Sequence, residues 1–303
     1  MNKLLTLAAH LGIKHIRTRD HKKGPILGWE VFVPREGQLP VRTRLYRPVN
    51  CSLPVLPVLF NVHGGSWLFG DSESVDEQSQ YLSNHLGCLV VNIDYLRVDE
   101  KPFPYQQLQV ADTVCWFLAN AERYHLDPAR AALMGYSAGG HISAGAAILL
   151  RNRGVKLTRQ VLGYPFLNFL GFDFGAYLGI KGLAAKAVSA YGWSVPFAEM
   201  EKESLLLSPA AAEPEALKGL APAVIVTCGA GDPLLPQGEL YAQKLNAAGV
   251  PAAYREFREA THGFLENNFP DTPDAAERGD LQRKLMIEAV EWIKAQDIFN
   301  CVE

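Results

Sequence analysis

A serine is a poor nucleophile until it is held in the open and a base takes its proton. The stretch Gly135-Tyr136-Ser137-Ala138-Gly139 meets the first condition. It follows a short apolar run, Ala131 to Met134, and leads into a helical pattern from about His141 to Arg151. A hydroxyl projecting from so tight a strand-to-helix turn needs small neighbours two residues to either side, and Gly135 and Gly139 supply them. The turn also aims N–H groups at the reacting centre, because it opens a helix. In this context Ser137 is the candidate nucleophile, with acid and base following it in the order Ser, Asp or Glu, His.

Downstream of Ser137 the histidines are His141 and His262. His141 lies too close behind the nucleophile and is expected to face away. His262 sits in Ala260-Thr261-His262-Gly263-Phe264, a loop before the final helix, and is the candidate base. The acid should lie between them, just past a strand end. Asp232 does, in Gly229-Ala230-Gly231-Asp232-Pro233 after the apolar run Ala223 to Cys228. Asp173 is a rival in an irregular segment, and Glu256 and Glu259 lack such a turn. The acid's work is to orient the imidazole and stabilise its cation. A tetrahedral oxyanion needs donors too. His63-Gly64-Gly65-Ser66-Trp67 follows another strong strand, so the N–H groups of Gly65, Ser66 and Ala138 are the candidate oxyanion hole.

The elements that must position these residues follow from apolar patterning. Leu56 to Val62, Cys88 to Ile93, Ala131 to Met134, Val161 to Tyr164, Ala223 to Cys228 and Ala252 to Phe257 read as strands. The core runs are continuous rather than alternating, as a parallel sheet covered on both faces requires. Asp127-Pro128 reads as a turn. Helical spacing marks Tyr105 to Ala121, with Leu108, Ala111, Cys115 and Leu118 on one face. It also marks about Ala275 to Ala295, with Leu281, Leu285, Met286, Ala289, Val290 and Ile293 on a stripe. Alternating strands and helices define the α/β class. An amphipathic helix is expected near the start. The aromatic-rich stretch from Phe166 to about Ala212 reads as a small helical insertion over one end of the sheet. Its aromatics are Phe169, Phe172, Phe174, Tyr177, Tyr191, Trp193 and Phe197.

Composition sets outer bounds. The chain of 303 residues is 48% hydrophobic and 20% charged, which excludes a disordered polyelectrolyte. Its 29 basic and 32 acidic residues leave a net charge of −3, without the basic surplus that holds nucleic acid. No run approaches a membrane-spanning length. The five cysteines have no zinc-ligand spacing, and Cys88, Cys115 and Cys228 fall in apolar runs expected to be buried. That usage and the short, interrupted apolar start fit a cytoplasmic protein.

Together these residues resemble the hormone-sensitive-lipase-like group of α/β-hydrolase carboxylesterases, over about Val55 to Ile293. His63-Gly64-Gly65-Ser66-Trp67 is similar to that group's His-Gly-Gly-Gly motif. Asp94-Tyr95 with Glu100-Lys101-Pro102-Phe103-Pro104 is similar to Asp-Tyr-Arg with Glu-x-Pro-Phe-Pro, and Gly135 to Gly140 to Gly-Asp-Ser-Ala-Gly-Gly. Asp232-Pro233-Leu234 and His262-Gly263-Phe264 match the acid and base motifs.

Three residues depart from the pattern. Ser66 replaces a glycine, Tyr136 replaces the acid before the nucleophile, and Leu96 stands where the family has arginine. The polar pairing near the nucleophile is therefore absent or rebuilt with Arg97. The resemblance implies one α/β-hydrolase domain over 1–303, capped by about 1–25 and 166–212. It implies a Ser137-His262-Asp232 hydrolase of short or medium acyl esters in an apolar pocket, acting on a small molecule without metal or organic cofactor. Arylformamidases and hemicellulose-deacylating esterases share His-Gly-Gly-x-Trp and a tyrosine beside the nucleophile, so those substrates stay open. A non-catalytic binder on the same fold and a homo-oligomer stay open as well.

Overall fold

A computed structural model describes residues 25–49, 51–170, 204–229, 231–267 and 275–300. The strands are β1 (Trp29–Val33), β2 (Val41–Tyr46), β3 (Leu56–Val62), β4 (Leu89–Asp94), β5 (Leu126–Tyr136), β6 (Arg159–Gly163), β7 (Ala223–Cys228) and β8 (Ala252–Phe257). They form one sheet in the order β1-β2-β4-β3-β5-β6-β7-β8. β2 runs antiparallel to both β1 and β4, and the remaining pairs are parallel. The helices that concern the site are α1 (Asp76–Leu86), α2 (Tyr105–Ala119), α3 (Ala121–Tyr124), α4 (Ala138–Asn152), α5 (Pro214–Leu217), α6 (Leu235–Ala247), α7 (Phe264–Asn267) and α8 (Ala275–Ala295).

Every residue of β3, β6 and β7 is buried, because helices cover both faces. On one face Phe60, Leu133, Leu162 and Ile225 pack beneath α2, α4 and α6. On the other, Leu59, Met134, Val161 and Val224 meet α1 and α8, with Met286, Ala289, Val290 and Ile293 of α8 buried. Leu281, expected on that stripe, is exposed.

Three other expectations need correction. β1 and β2 went unread, because their charged residues break the apolar pattern of TrpGluValPheVal and ValArgThrArgLeuTyr. Asp127-Pro128 is not a turn but lies within β5, whose Leu126 pairs with Leu56 before a register shift. In α2 the predicted face is only half right. Leu108, Cys115 and Leu118 are half-buried, while Gln106, Gln107 and Gln109 are buried. These amides are buried because they pair loop backbone. Gln106 donates to the carbonyls of Leu96 and Lys101, Gln107 donates to that of Leu206, and Gln109 accepts the Leu96 N–H.

The predicted N-terminal helix and most of the predicted insertion fall outside the described residues. Of the insertion's aromatics, Phe169 is described. It is fully buried and packs on Trp67 and Phe166, with centroids 5.4 and 4.4 Å away. Cys88 and Cys228 are buried as expected, Cys115 is half-buried and Cys51 is exposed.

His141 does face away from the nucleophile, into the core. Its Nδ1 accepts the Trp67 indole N–H at 3.1 Å, so Nε2 carries the proton and donates to the Leu207 carbonyl at 3.1 Å. Burial lowers its pKa to about 3, and the imidazole is neutral. The folded-state pKa lies below the unfolded value of 6.5, so the stability it contributes is present above pH 6.5 and lost as pH falls toward about 3. His141→Leu removes the acceptor of the Trp67 indole N–H and the donor to the Leu207 carbonyl, and should cost about 1–3 kcal/mol for each at pH 7.5. In urea unfolding the wild type's margin over this variant should shrink steadily below pH 6.5. A margin independent of pH would contradict a neutral buried imidazole.

Candidate active site

Topology places the site. From β3 the chain moves outward to β4, then returns to lay β5 on the other side of β3. The carboxyl ends of β3 and β5 therefore diverge at a switch point, where open α/β sheets leave a crevice. Val62 pairs with Gly135 there, so His63-Gly64-Gly65-Ser66 and Ser137 emerge side by side.

Ser137 caps α4 with φ 52° and ψ −117°, a conformation costly for a residue with a side chain. Its surroundings enforce it. The Ser137 N–H donates to the Gly163 carbonyl at 2.9 Å, and its own carbonyl accepts from His141 and Phe166 at 3.1 Å. The flanking glycines are sterically required. A Cβ at Gly135 would lie 2.3 Å from the Gly139 carbonyl oxygen, and one at Gly139 would lie 2.3 Å from those of Val62 and His63.

The turn after β7 carries Asp232 and the loop after β8 carries His262. His262 Nδ1 donates to Asp232 Oδ2 at 2.9 Å. That bond fixes the tautomer and leaves Nε2 to accept the Ser137 hydroxyl, also at 2.9 Å. The Asp232 side chain is 3% exposed and that of His262 31%. Burial opposes ionisation of Asp232. The His262 hydrogen bond and charge, the Leu234 N–H and the Cys228 thiol outweigh it, so the carboxyl sits below its usual range. Burial and the Asp232 charge in turn push the Cys228 thiol up. Of the rival acids, Glu256 pairs with Arg258 on β8's outer end, and Asp173 lies outside the described residues.

The loop after β3 is unusual. Gly65, Ser66 and Trp67 are consecutively left-handed, with φ 110°, 51° and 60°. The Gly65 carbonyl accepts from Leu68 and Phe69 at 3.0 and 2.7 Å, which closes a tight turn. Ser66 thus tolerates the angles of the glycine it replaces. Among the described residues no group takes the N–H of Gly65, Ser66 or Ala138. The Gly64 N–H is already spent on Glu266. His63 stands behind the loop, fully buried and stacked on Tyr95 with centroids 4.4 Å apart. Burial, with Arg97 nearby, lowers its pKa to about 3. The Tyr95 hydroxyl donates to the carbonyls of His63 and Gly64 at 3.2 Å.

Tyr136 makes no polar pair of the kind an acid would. It is buried, and its hydroxyl reaches the Met134 sulfur at 3.2 Å. Arg97 instead holds Asp94 at 3.1 Å, the Tyr95 carbonyl at 3.0 Å and the Gly70 carbonyl. This polar cluster sits beside the loop after β3 rather than beside Ser137.

Two residues escaped sequence reasoning. Glu266 Oε1 accepts the Gly64 N–H at 2.7 Å, and Oε2 accepts the Tyr164 hydroxyl at 3.3 Å. Burial raises the Glu266 pKa to about 7, against the Gly64 N–H, His262 and Tyr164. The Tyr164 ring lies 4.8 Å from the His262 ring. Spacing from His262 was no signal, because the left-handed Gly263 separates His262 from α7.

A cavity of about 640 Å³ opens over Ser137 and His262, lined also by Gly65, Ser66, Arg42, Asp71, Asp94, Arg97 and Glu266. This described lining is largely polar; the aromatics from which an apolar pocket was expected, other than Phe169, lie outside the described residues. Among the described residues, Cys228, Asp232 and His262 could together hold a metal, with ligand atoms within 4.8 Å. An ion there would break the Asp232–His262 hydrogen bond.

The family model for the α/β hydrolase fold matches residues 59–266, and the chain belongs to that family. An arylesterase of Saccharolobus solfataricus is 33% identical over 75% of this chain and 73% of its own length. The carboxylesterase NlhH of Mycobacterium tuberculosis is 31% identical over 90% of this chain and 89% of its own. The crystal structure of EstE1, a thermophilic and thermostable carboxylesterase cloned from a metagenomic library, matches with a TM-score of 0.75. It is 28% identical and covers 93% of this chain and 97% of its own. No helix among the described residues is long and apolar enough to cross a membrane.

The oxyanion loop yields a sharp test. A Cβ at Gly65 would lie 2.2 Å from the Phe69 carbonyl oxygen, at a φ that side chains avoid. Gly65→Ala should dislocate the loop and lower turnover about 100-fold while circular dichroism remains that of the wild type. Turnover within threefold would show that the loop's conformation does not matter.

Proposed function

We propose that this protein hydrolyses carboxylic esters of short or medium acyl chain through an acyl-enzyme on Ser137. One observation carries the reading: a hydrogen-bonded relay, Ser137 to His262 to Asp232 at 2.9 Å in each step, opens into a cavity. The esterase names of its relatives support it.

In this reading His262 Nε2 takes the hydroxyl proton as Ser137 Oγ bonds to the ester carbonyl carbon. Asp232 stays ionised, holds the imidazole's tautomer and stabilises its cation. The carbonyl oxygen becomes an oxyanion and accepts hydrogen bonds from Gly65, Ser66 and Ala138. His262 returns the proton to the departing alcohol. Water, deprotonated by the same imidazole, then attacks the acyl carbon and frees Ser137.

The segments of about 1–25 and 166–212 are proposed as the cap. The chain enters 171–203 from Phe166 and Phe169, beside the nucleophile. Leu27, just beyond residue 25, donates its N–H to Asp76 next to the cavity-lining Ser74 and Val75.

Ser137→Ala should fold normally and lose at least about 10³-fold in turnover of nitrophenyl acetate and butyrate. An organophosphate should add its mass at Ser137 of the wild type. Retained hydrolysis, or label elsewhere, overturns the assignment. Faster turnover of N-formylkynurenine than of any nitrophenyl ester would replace acyl esters with aryl formamides as the substrate class.

A further inference from the structure

We infer that Glu266 is a positioning residue that locks the oxyanion loop to the catalytic histidine's loop. The inference rests on the reading of Ser137 and the loop after β3 given above, and it adds a residue that reading does not need. Three elements of the site meet on one carboxylate. Oε1 accepts the N–H of Gly64 at 2.7 Å, the peptide immediately before the two oxyanion donors. Oε2 accepts the hydroxyl of Tyr164, whose ring packs on His262. The carboxylate itself is carried by α7, whose start is two residues past His262.

The approach to Gly64 is close. A Cβ there would lie 2.9 Å from Oε2, so the carboxylate would have to shift to make room for one. The consequence is geometric. The loop after β3 runs through three left-handed residues, Gly65 to Trp67, and α/β topology fixes only its β3 end. Orienting the Gly64 peptide decides where the next N–H groups point. Glu266 therefore sets the separation between the oxyanion donors and the base across the substrate carbonyl, without touching substrate.

Such a residue acts on the transition state more than on ground-state binding. Glu266→Met keeps the bulk and removes the strong acceptor, whereas Glu266→Gln keeps an acceptor oxygen for the Gly64 N–H. Active sites are counted by organophosphate titration, and nitrophenyl butyrate hydrolysis is compared with inhibition by an aliphatic trifluoromethyl ketone. Glu266→Met should lower kcat about 10- to 100-fold with KM within threefold. Its affinity for the trifluoromethyl ketone should fall in parallel with kcat/KM. Glu266→Gln should recover most of both.

A merely structural role would lower thermal stability and leave the ratio of ketone affinity to KM unchanged, and that result overturns the inference. So does a Glu266→Gln no better than Glu266→Met, since the assigned contact survives in it. Should Glu266→Met not fold, the Glu266→Gln ratio and that of Tyr164→Phe still decide. Tyr164→Phe should retain the Gly64 contact and stay near wild type in ketone affinity, and a loss as large as that of Glu266→Met overturns the assignment to Gly64. Hydrolysis that survives Ser137→Ala would sink the underlying ester-hydrolase reading instead, whatever the Glu266 variants do.

Discussion

The turn from β5 into α4 cannot relax. Ser137 is held at φ 52° by hydrogen bonds at both its N–H and its carbonyl, and the backbone of β3 lies where any side chain at Gly139 would go. The same contact that presses α4 against the end of β3 brings the Gly64–Ser66 loop to the serine. Ser137 and the candidate oxyanion donors are thus brought together by this steric contact, and their spacing follows from the pairing of Val62 with Gly135. Asp232 and His262 arrive from β7 and β8, farther along the sheet, and side-chain contacts tie them to the turn: the two hydrogen bonds and the packing of Tyr164 on His262. Backbone packing and backbone hydrogen bonds set Ser137, whereas side chains bring the other two to it.

That division explains the electrostatics. Asp232 and Glu266 flank His262, and both are withdrawn from water, yet their acidities move in opposite directions. Asp232 accepts from an imidazole N–H and a backbone N–H and lies near the Cys228 thiol, influences that together outweigh burial. Glu266 accepts from one backbone N–H and one phenol, which do not. Pairs of carboxyls pushed apart in this way mark different tasks within one site. The carboxyl of Asp232 is held toward its ionised form against the His262 imidazole, and Glu266 offers acceptor oxygens to a neutral peptide. His63 and His141, both lowered to about 3, stay neutral and serve as hydrogen-bonding core residues.

Much of this was legible in the chain because it depends on local rules. Gly135 and Gly139 around Ser137 announce a tight turn, and unbroken apolar runs announce parallel strands. A Gly-rich turn after Ala223 to Cys228 singles out Asp232. What stayed hidden depends on tertiary partners. Glu30 interrupts β1 and Arg42 and Arg44 interrupt β2, and the two arginines are accommodated by ion pairs with Glu30, Glu73 and Asp94. Gln106, Gln107 and Gln109 read as solvent-facing until the loops they satisfy are seen. Glu266 looks like any helix-start acid until β3's loop comes within 3 Å of it.

The polar cavity wall also bears on the substrate. Arg42 divides its guanidinium among Glu30, Glu73 and Asp94, and Arg97 is bound to Asp94 and two carbonyls. Each of these two cations is thus matched by a carboxylate already in contact with it. A charged substrate would have to compete with those bonds, at the cost of leaving a partly buried ion unpaired. A neutral ester pays no such cost and can still find dipoles along the wall. Among the described residues, the wall near Ser137 therefore presents paired charges rather than free ones.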